Sequence, residues 1–302
     1  MIDTATNSAT VASAHVRVGK QQARPNALIV GPMKAGTSWL YEYLASRDDV
    51  MVPSGTKETF YFDERFESKS LAWYLSHFQH VKYTTGKRII EVAPTYFHPA
   101  KVPSRVRETL GEIKIVVTLR DPAERAFSLF QHMRRYGFTS CSEFQDAVVK
   151  HPEIIESSLY HESLVRWEQA FGRENVTVLF MEDLKSSPIN FAGKCCRALG
   201  LAEPTSEEAL PQKVNVAADP RNYHVAKFGR VAGDLLRSFR LYPIVQAAKK
   251  VGLKRVVFGK PQTVRQIITA EERAWFLEQI KLDVVALQNH VDRDLDAWLN
   301  NI

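Results

Sequence analysis

At 302 residues the chain is long enough to bury one substantial hydrophobic core, and a single α/β domain is the simplest expectation. Hydrophobic residues make up 45% and charged residues 25%, the ordinary balance of a soluble globular protein. No apolar run approaches the roughly 18 residues of a membrane span, and the three cysteines have no metal-ligand spacing. The sequence therefore predicts a soluble, cytoplasmic protein without structural disulfides or a metal site.

Residues 1–24 differ in composition from the rest of the chain. They are rich in Ala, Thr, Ser and Val but contain no continuous apolar segment, which predicts a disordered tail rather than a signal peptide. We expect one folded domain over 25–302, with an α/β core over 25–200 and a helical part over 201–302.

Short apolar or β-branched runs alternate with helical patterns in the first 200 residues. Extended segments are predicted at 26–31, 49–53, 88–92, 113–119 and 175–180. Helices are predicted from residue 37 to about 45, at 71–78, from 122 to about 135, at 159–171 and at 188–199. This alternation predicts a parallel β-sheet that is covered by helices.

The segment at 113–119 is the strongest predicted strand, because it is β-branched and almost continuously apolar. It leads through Arg120 into the start of a helix. Asp121 has the side chain of an N-cap, Pro122 suits the first helical position, and Glu124 would complete a capping box. The strand and the helix are therefore expected to meet at Arg120.

The pattern changes after about residue 205, where no strong strand is evident and helical spacing continues to the C-terminus, including 271–295. Residues 221–260 carry ten Lys or Arg and one acid, so this segment has a charge of +9 within a chain of +6. Two interpretations stay open. The segment is either a solvated helix face or a surface that meets an anion, such as a nucleotide, an acidic acceptor or a membrane.

A glycine-bounded loop at 31–36 joins the first predicted strand to the first helix. Such a loop presents backbone N–H groups at a positive helix end. Lys34, Thr37 and Ser38 add a cation and two hydroxyls, which suits phosphate or sulfate. The nucleoside triphosphate motif G-x-x-x-x-G-K-[ST] has lysine directly after the second glycine, where this chain has Thr37. This difference counts against a kinase or NTPase, and the loop alone would be an ordinary strand-to-helix turn.

A second anion site is predicted after the strongest strand. Arg120 lies at the carboxyl end of that strand, where ligands bind in open α/β sheets. Ser128 lies about two turns along the following helix and on the same side. Together with the loop, this pair predicts a ligand that carries two separate phosphates.

These segments resemble the PAPS-dependent sulfotransferases (PAPS is 3′-phosphoadenosine 5′-phosphosulfate), in particular the heparan-sulfate-type branch and its bacterial relatives. Residues 32–39 (PMKAGTSW) look like the family's 5′-phosphosulfate loop, and residues 119–128 look like its 3′-phosphate motif. Residues 57–62 (KETFYF) resemble its K-E-x-x-F-F element, whose glutamate is the proposed catalytic base. The resemblance covers roughly residues 26–200.

The resemblance implies a P-loop-like sulfotransferase fold in which 25–200 binds the donor and a basic helical portion follows. It implies Glu58 as general base and Lys34 as the cation that stabilises the departing nucleotide. The residues expected to bind PAPS and its product PAP (3′-phosphoadenosine 5′-phosphate) are Lys34, Ala35, Gly36, Thr37, Ser38, Trp39, Arg120 and Ser128. No metal is expected in the transfer.

Three positions depart from the heparan 3-O-sulfating enzymes of the resembled family, which have histidine, lysine and histidine there. In this chain these positions hold Phe60, Val92 and Ser163. The donor elements are kept while the polar residues on the acceptor side are not, so a heparan-like acceptor is not expected. The acceptor stays open: a hydroxyl, or an amine, of a small molecule, a lipid or a saccharide.

Two other functions remain as alternatives. One is a P-loop kinase or NTPase that needs ATP and Mg²⁺; the other is a non-catalytic basic protein that binds nucleic acid or anionic lipid through 221–260. We favour a lid over donor and acceptor, with Lys213, Arg221 and Lys260 as candidate contacts and no nucleic acid partner. The segment could equally touch an anionic or membrane surface, and the sequence carries no signal of oligomeric state.

Overall fold

The computed structural model describes residues 23–79, 87–206, 210–211, 218–220, 258–261 and 267–300. Most of the predicted tail at 1–24 lies outside these residues, as does the basic segment 221–260 apart from its last three positions. Of the candidate lid residues, Lys213 and Arg221 also lie outside them, and Lys260 is described only in its backbone.

A parallel sheet lies at the centre of the described chain. Its strands are β1 (Ala27–Val30), β2 (Val50–Met51), β3 (Arg88–Val92), β4 (Lys114–Leu119) and β5 (Val176–Phe180). Their order is β2-β3-β1-β4-β5, and each neighbouring pair is parallel. The five predicted extended segments and the predicted parallel sheet are confirmed.

Helices connect these strands. They are α1 (Thr37–Ala45), α2 (Leu71–Leu75), α3 (Val102–Leu110), α4 (Pro122–Arg135), α5 (Phe144–Lys150), α6 (Glu153–Glu156), α7 (His161–Phe171), α8 (Met181–Ser186) and α9 (Pro188–Leu199). The helix predicted at 71–78 divides into α2 and a 3₁₀ turn at Ser76–Phe78. The sequence did not predict α3, α5, α6 and α8. The last three have seven residues or fewer and give no clear 3.6-residue period.

Strand residues alternate between two hydrophobic cores, one on each face of the sheet. In β1, Leu28 and Val30 join the larger core. Ala27 and Ile29 join the smaller core, which is closed by α1 and α9. All four side chains are fully buried. The continuous apolar run of β1 follows from this arrangement, because a strand covered on both faces has no polar side.

The C-terminal helices are α10 (Ala270–Glu278), α11 (Lys281–Val291) and α12 (Asp296–Asn300). The helical pattern predicted over 271–295 is therefore not one continuous helix. The chain leaves the helix at the buried Ile280 and again at Asp292, whose φ of 50° is left-handed. Phe276 and Trp298 pack into the larger core beside residues of the α/β elements.

A buried ion pair joins these last helices to the start of α4. The Arg273 guanidinium donates to both carboxylate oxygens of Asp121, at 3.0 and 2.5 Å, and to the Trp298 carbonyl at 2.8 Å. The two charged side chains are 9% and 8% exposed. Removal of either partner would leave a buried charge unpaired, at a cost of about 3–5 kcal/mol. The C-terminal helices thus fix the residue that follows Arg120.

Two short strands, β6 (Ala218–Pro220) and β7 (Phe258–Pro261), pair in antiparallel fashion. The sequence showed no strong strand after residue 205, and the two strands found there are only three and four residues long. Their sequences, ADP and FGKP, contain proline or glycine and no β-branched run, so neither periodicity nor propensity marks them as strands.

Candidate active site

The loop at 31–36 passes between β4 and α8 and has a glycine at each end. Gly31 has a φ of 136°, and a Cβ there would lie 2.3 Å from the Thr118 carbonyl oxygen of β4. Gly36 has a φ of 91°, and a Cβ there would lie 2.6 Å from the sulfur of Met181, the first residue of α8. Gly31 is required by its positive φ and by its contact with the β4 backbone, and Gly36 by its positive φ, because the flexible Met181 side chain can shift.

The loop ends at the N-terminus of α1, where Gly36 is the N-cap. None of the described side chains caps this helix, and its first turn contains no acid. Thr37 is buried, Ser38 is half-buried, and the backbone of Lys34 has a left-handed φ of 77°. The positive end of α1 and the hydroxyls of its first turn thus suit an anion.

Two members of the predicted donor-binding set have side chains that serve packing. Ala35 is fully buried. Trp39 lies in the smaller core, where its ring stacks on Tyr43 at 5.8 Å and meets the edge of Phe191 at 5.9 Å. Its Nε1 donates to the Pro211 carbonyl at 3.1 Å.

Arg120 joins the second predicted anion site to the loop. It follows β4 directly, is buried, and donates from Nη1 to the Lys34 carbonyl oxygen at 3.2 Å. Arg120 and Ser128 line one open cleft, so the predicted placement of both side chains on one side is present in the structure. The cleft is also lined by Glu124, Phe127, Gln131, Lys185, Ile267 and Ile268.

Glu124 does not complete the predicted capping box. Asp121 does cap α4, because its Oδ1 accepts from the Glu124 N–H at 2.9 Å. The Glu124 carboxylate accepts instead from Arg120 Nη2 at 2.8 Å and from Lys185 Nζ at 3.0 Å. The Asp121 N–H donates to Glu182 at 3.1 Å. Burial opposes ionisation of Glu124, but the two cations outweigh it and lower its pKa to about 2.

Glu58, the candidate base, is linked to the loop by its neighbour Lys57. Lys57 Nζ lies 3.0 Å from Glu58 Oε1 and 3.4 Å from Thr37 Oγ1. Burial raises the pKa of Glu58, and the charge of Lys57 opposes this rise. A carboxylate with a raised pKa beside a loop that suits an anion has the properties of a general base. Sequence reasoning gave Lys57 no role, because only the fold brings it to α1.

A buried polar cluster holds the chain just after the candidate base. The Glu91 carboxylate in β3 is fully buried and accepts from the Thr59 N–H at 2.8 Å and from the Tyr74 hydroxyl at 3.0 Å. The Tyr96 hydroxyl accepts from the Tyr61 N–H at 2.8 Å. Desolvation raises the pKa of Glu91 to about 7. Sequence reasoning missed Glu91, whose signal is a lone acid within an apolar strand.

The aromatic residues after Glu58 have two environments. Tyr61 and Phe62 belong to the larger core. Phe60 is only half-buried, with the Arg65 guanidinium 5.5 Å from its ring centroid. Phe60 also has a left-handed φ of 56°, an uncommon conformation for a bulky residue that marks local strain. The strained position thus lies two residues from the candidate base.

His132 lies on α4 one turn beyond Ser128 and close to Lys34. Burial, together with the positive charges of Lys34 and Arg135, lowers the pKa of His132 to about 4. The ring is therefore neutral at physiological pH and can either donate or accept a hydrogen bond. His132 lies four residues after Ser128 and therefore on the same face of α4. This spacing is the sequence signal that could have identified His132 as a neighbour of Ser128.

Residues 24–216, more than half of the chain, match the family model described as a sulfotransferase domain. The chain belongs to the sulfotransferase domain family. The predicted family and the predicted α/β fold class are thereby confirmed.

Curated relatives share this domain. The chain is 27% identical over 214 residues to the bifunctional heparan sulfate N-deacetylase/N-sulfotransferase 1 of Xenopus tropicalis. This match covers 65% of this chain and 24% of that protein. It is 30% identical over 194 residues to the bifunctional heparan sulfate N-deacetylase/N-sulfotransferase 3 of Homo sapiens. This match covers 59% of this chain and 22% of that protein. The chain thus spans about a quarter of the length of these relatives.

A solved structure shows the same fold. The sulfotransferase from Alicyclobacillus acidocaldarius is similar to this chain with a TM-score of 0.64 and 23% sequence identity. The match covers 91% of this chain and 99% of that one.

In this sulfotransferase domain, two positions that depart from the heparan-type pattern are packed or paired. Val92 is fully buried in the smaller core. Ser163 is buried, and its Oγ accepts from Arg166 at 3.0 Å. His161, from the same helix, donates its N–H to Asp283 of α11 at 3.1 Å and so contacts the C-terminal helices. Val92 is thus a core residue, Ser163 is paired within α7, and the backbone of His161 joins α7 to α11.

Among the described residues, no group of three or more His, Cys, Asp or Glu side chains is placed to hold a metal ion. None of the helices in the described ranges is long and apolar enough to span a membrane. All three cysteines are free thiols, and Cys195 and Cys196 are buried in the smaller core.

Proposed function

We propose that this domain is a PAPS-dependent sulfotransferase that moves a sulfuryl group onto an acceptor hydroxyl. The observation that carries the proposal is the hydrogen bond from Arg120 to the Lys34 carbonyl. It joins two anion-binding elements that follow the neighbouring strands β1 and β4 at one edge of the sheet. PAPS has two anionic ends, a 5′-phosphosulfate and a 3′-phosphate, which suit these two elements.

The loop suits the 5′-phosphosulfate end of the donor. Lys34 supplies a cation, Thr37 and Ser38 supply hydroxyls, and the start of α1 supplies N–H groups. The close approach of β4 to Gly31 supports this assignment, because a side chain there would collide with the Thr118 carbonyl and displace the loop. Arg120 and Ser128 suit the 3′-phosphate, since charge-assisted hydrogen bonds to phosphate are strong.

Glu58 acts as the general base in this proposal. It takes the acceptor proton while the acceptor oxygen bonds to sulfur and the bond between sulfur and the nucleotide oxygen breaks, which releases PAP. Lys34 and the first N–H groups of α1 stabilise the charge that grows on the departing phosphate. Lys57, which contacts both Glu58 and Thr37, holds the base against the loop. A sulfuryl group carries less charge than a phosphoryl group, so the proposal requires no metal.

The acceptor we propose is a hydroxyl of a small molecule, a lipid or a saccharide without dense negative charge. A single carboxylate base suits an O–H group, and the apolar Phe60 and Val92 offer no cation to a polyanion. An amine is the second candidate, because the curated relatives are named as N-sulfotransferases. Mass spectrometry of an acceptor library that is incubated with the protein and PAPS distinguishes sulfation of a hydroxyl from sulfation of an amine.

We also propose that the protein works in the cytoplasm and that residues 221–260 form a lid or meet an anionic or membrane surface. The charge of +9 on this segment supports such contacts. Binding to phosphatidylserine vesicles that is lost at high salt, with no binding to neutral vesicles, is the result expected for a membrane surface. Equal binding to both vesicle types would contradict an electrostatic contact.

Thermal unfolding with added ligands tests the donor. Because a bound ligand stabilises the folded state, we expect PAP to raise Tm in the absence of divalent cations and ATP with Mg²⁺ to have little effect. Stabilisation by ATP with Mg²⁺ but not by PAP would favour the kinase or NTPase alternative.

A further inference from the structure

The cleft that contains Arg120 and Ser128 also contains an acid and a second cation. Glu124 Oε2 accepts from Arg120 at 2.8 Å (Nη2) and 3.3 Å (Nε), and from Lys185 Nζ at 3.0 Å. All of these side chains line the cleft. A single carboxylate oxygen therefore binds both cations at the place that suits a phosphate.

Lys185 is held at the edge of this cleft by the short helix α8. The two acids of α8 anchor it to different parts of the chain. Glu182 accepts from the Asp121 N–H at 3.1 Å, at the start of α4. Asp183 pairs with Arg293 at 2.7 Å, just after α11. Lys185 therefore keeps its position relative to the helix that carries Ser128.

A bound 3′-phosphate changes the charge balance of this cluster. Arg120, Lys185 and Glu124 together carry +1, and a phosphate monoester brings about −1.5 to −2. A carboxylate on the same guanidinium repels that phosphate. The Glu124 side chain is 37% exposed and has room to turn toward solvent, whereas Arg120 is 6% exposed.

We propose that Lys185 is a third ligand of the donor's 3′-phosphate, and that Glu124 is an internal anion that holds Arg120 and Lys185 until the nucleotide displaces it. This inference rests on the proposed function. Nucleotide binding exchanges a carboxylate for a phosphate at the same two cations, so Glu124 lowers the affinity for PAPS and PAP. A nucleotide without a 3′-phosphate leaves Glu124 in place.

Calorimetric titrations with PAP and with 5′-AMP, which lacks the 3′-phosphate, test this exchange. We expect Glu124→Gln to bind PAP roughly 5- to 10-fold more tightly and AMP with unchanged affinity, because only PAP competes with the carboxylate. We expect Lys185→Met to bind PAP roughly 5- to 10-fold more weakly, since it removes one charge-assisted bond.

Two control variants remove similar ion pairs away from the cleft. Glu162→Gln breaks a pair with Arg166 of the same four-residue spacing on α7, and Lys281→Met breaks a surface pair with Glu278. Both should bind PAP like the wild type. Glu124→Ala, as a second variant, should tighten PAP binding in the same direction as Glu124→Gln.

If the wild type binds PAP but neither Glu124 variant binds it more tightly, the inference is wrong and the proposed function stands. An equal gain for PAP and AMP also overturns it, because that result indicates a general charge effect. Unchanged PAP affinity in Lys185→Met removes Lys185 from the site. Failure of the wild type to bind PAP at all contradicts the proposed function itself.

Discussion

The side of the site that we propose to bind the donor (the donor side) and the side that carries Glu58 (the base side) are constructed differently. On the donor side, each element is one continuous stretch that runs from a strand through a turn into a helix, at 27–45 and at 114–135. On the base side, Glu58 lies in irregular chain and is positioned by side chains from elsewhere, such as Glu91 and Tyr96. The two proposed phosphate-binding elements are thus each formed by one local stretch of chain, whereas placement of the proposed base depends on long-range contacts.

Substitution of the base should have the largest effect and should separate the two sides. We expect Glu58→Gln to lower turnover by about 10²- to 10⁴-fold, because the acceptor proton loses its base. PAP affinity, measured by calorimetry, should stay within about twofold, since the amide keeps the shape of the side chain. Turnover is measured as PAP release with an acceptor that the wild type sulfates.

Glu67→Gln is the matched control for this substitution, because Glu67 lies in the same irregular segment but is 84% exposed and pairs with Arg105. It should retain wild-type turnover. A Glu58→Gln variant with full activity would remove Glu58 from the mechanism.

The buried Glu91 of the base side should make a pH-dependent contribution to stability that is opposite in sign to that of His132 on the donor side. The pKa of Glu91 is raised from 4.5 to about 7, so between these values the folded protein holds a proton that the unfolded chain releases. The contribution of Glu91 to the free energy of unfolding therefore falls as pH rises through this window, by about 3 kcal/mol. Glu91→Gln should lose this dependence.

Denaturant unfolding of both proteins between pH 4.5 and 8 measures the difference. The stability of Glu91→Gln relative to the wild type should increase with pH. Parallel pH profiles for the two proteins would mean that Glu91 is ionised in the folded state throughout the range.

On the donor side, Arg120→Ala should weaken PAP binding roughly 30- to 100-fold, because it removes charge-assisted bonds to the 3′-phosphate. Binding of 5′-AMP should change much less. Arg107→Ala, which removes a surface pair with Glu112, is the control and should not affect either ligand. Equal losses for PAP and AMP would indicate that the substitution damages the loop through the Lys34 carbonyl instead.

The sequence predicted the strand–turn–helix stretches at 27–45 and 114–135 because their signals are local. Gly31 and Gly36 bound a short turn and both have a positive φ, and Gly31 also contacts the β4 backbone. The strand before Arg120 is almost continuously apolar because it is buried on both faces. Each feature can be identified from a few consecutive residues.

Features that depend on distant residues could not be predicted in the same way. Glu124 has the spacing of a capping box, but its carboxylate accepts from Arg120 and from Lys185, 61 residues away, while the Asp121 N–H donates to Glu182. Lys57 and Glu91 gain their roles only when the sheet brings α1 and β3 next to the irregular segment. Their sequence neighbourhoods contain no sign of these partners.

Calorimetric titration of the wild-type protein in the presence of a chelator tests the central claim most directly, with PAP, 5′-AMP and ATP as ligands. The claim is that two linked anion sites bind the two ends of one nucleotide. It predicts that PAP binds without divalent cations and at least about tenfold more tightly than 5′-AMP, because the 3′-phosphate adds charge-assisted bonds. PAP affinity no higher than that of 5′-AMP would contradict it.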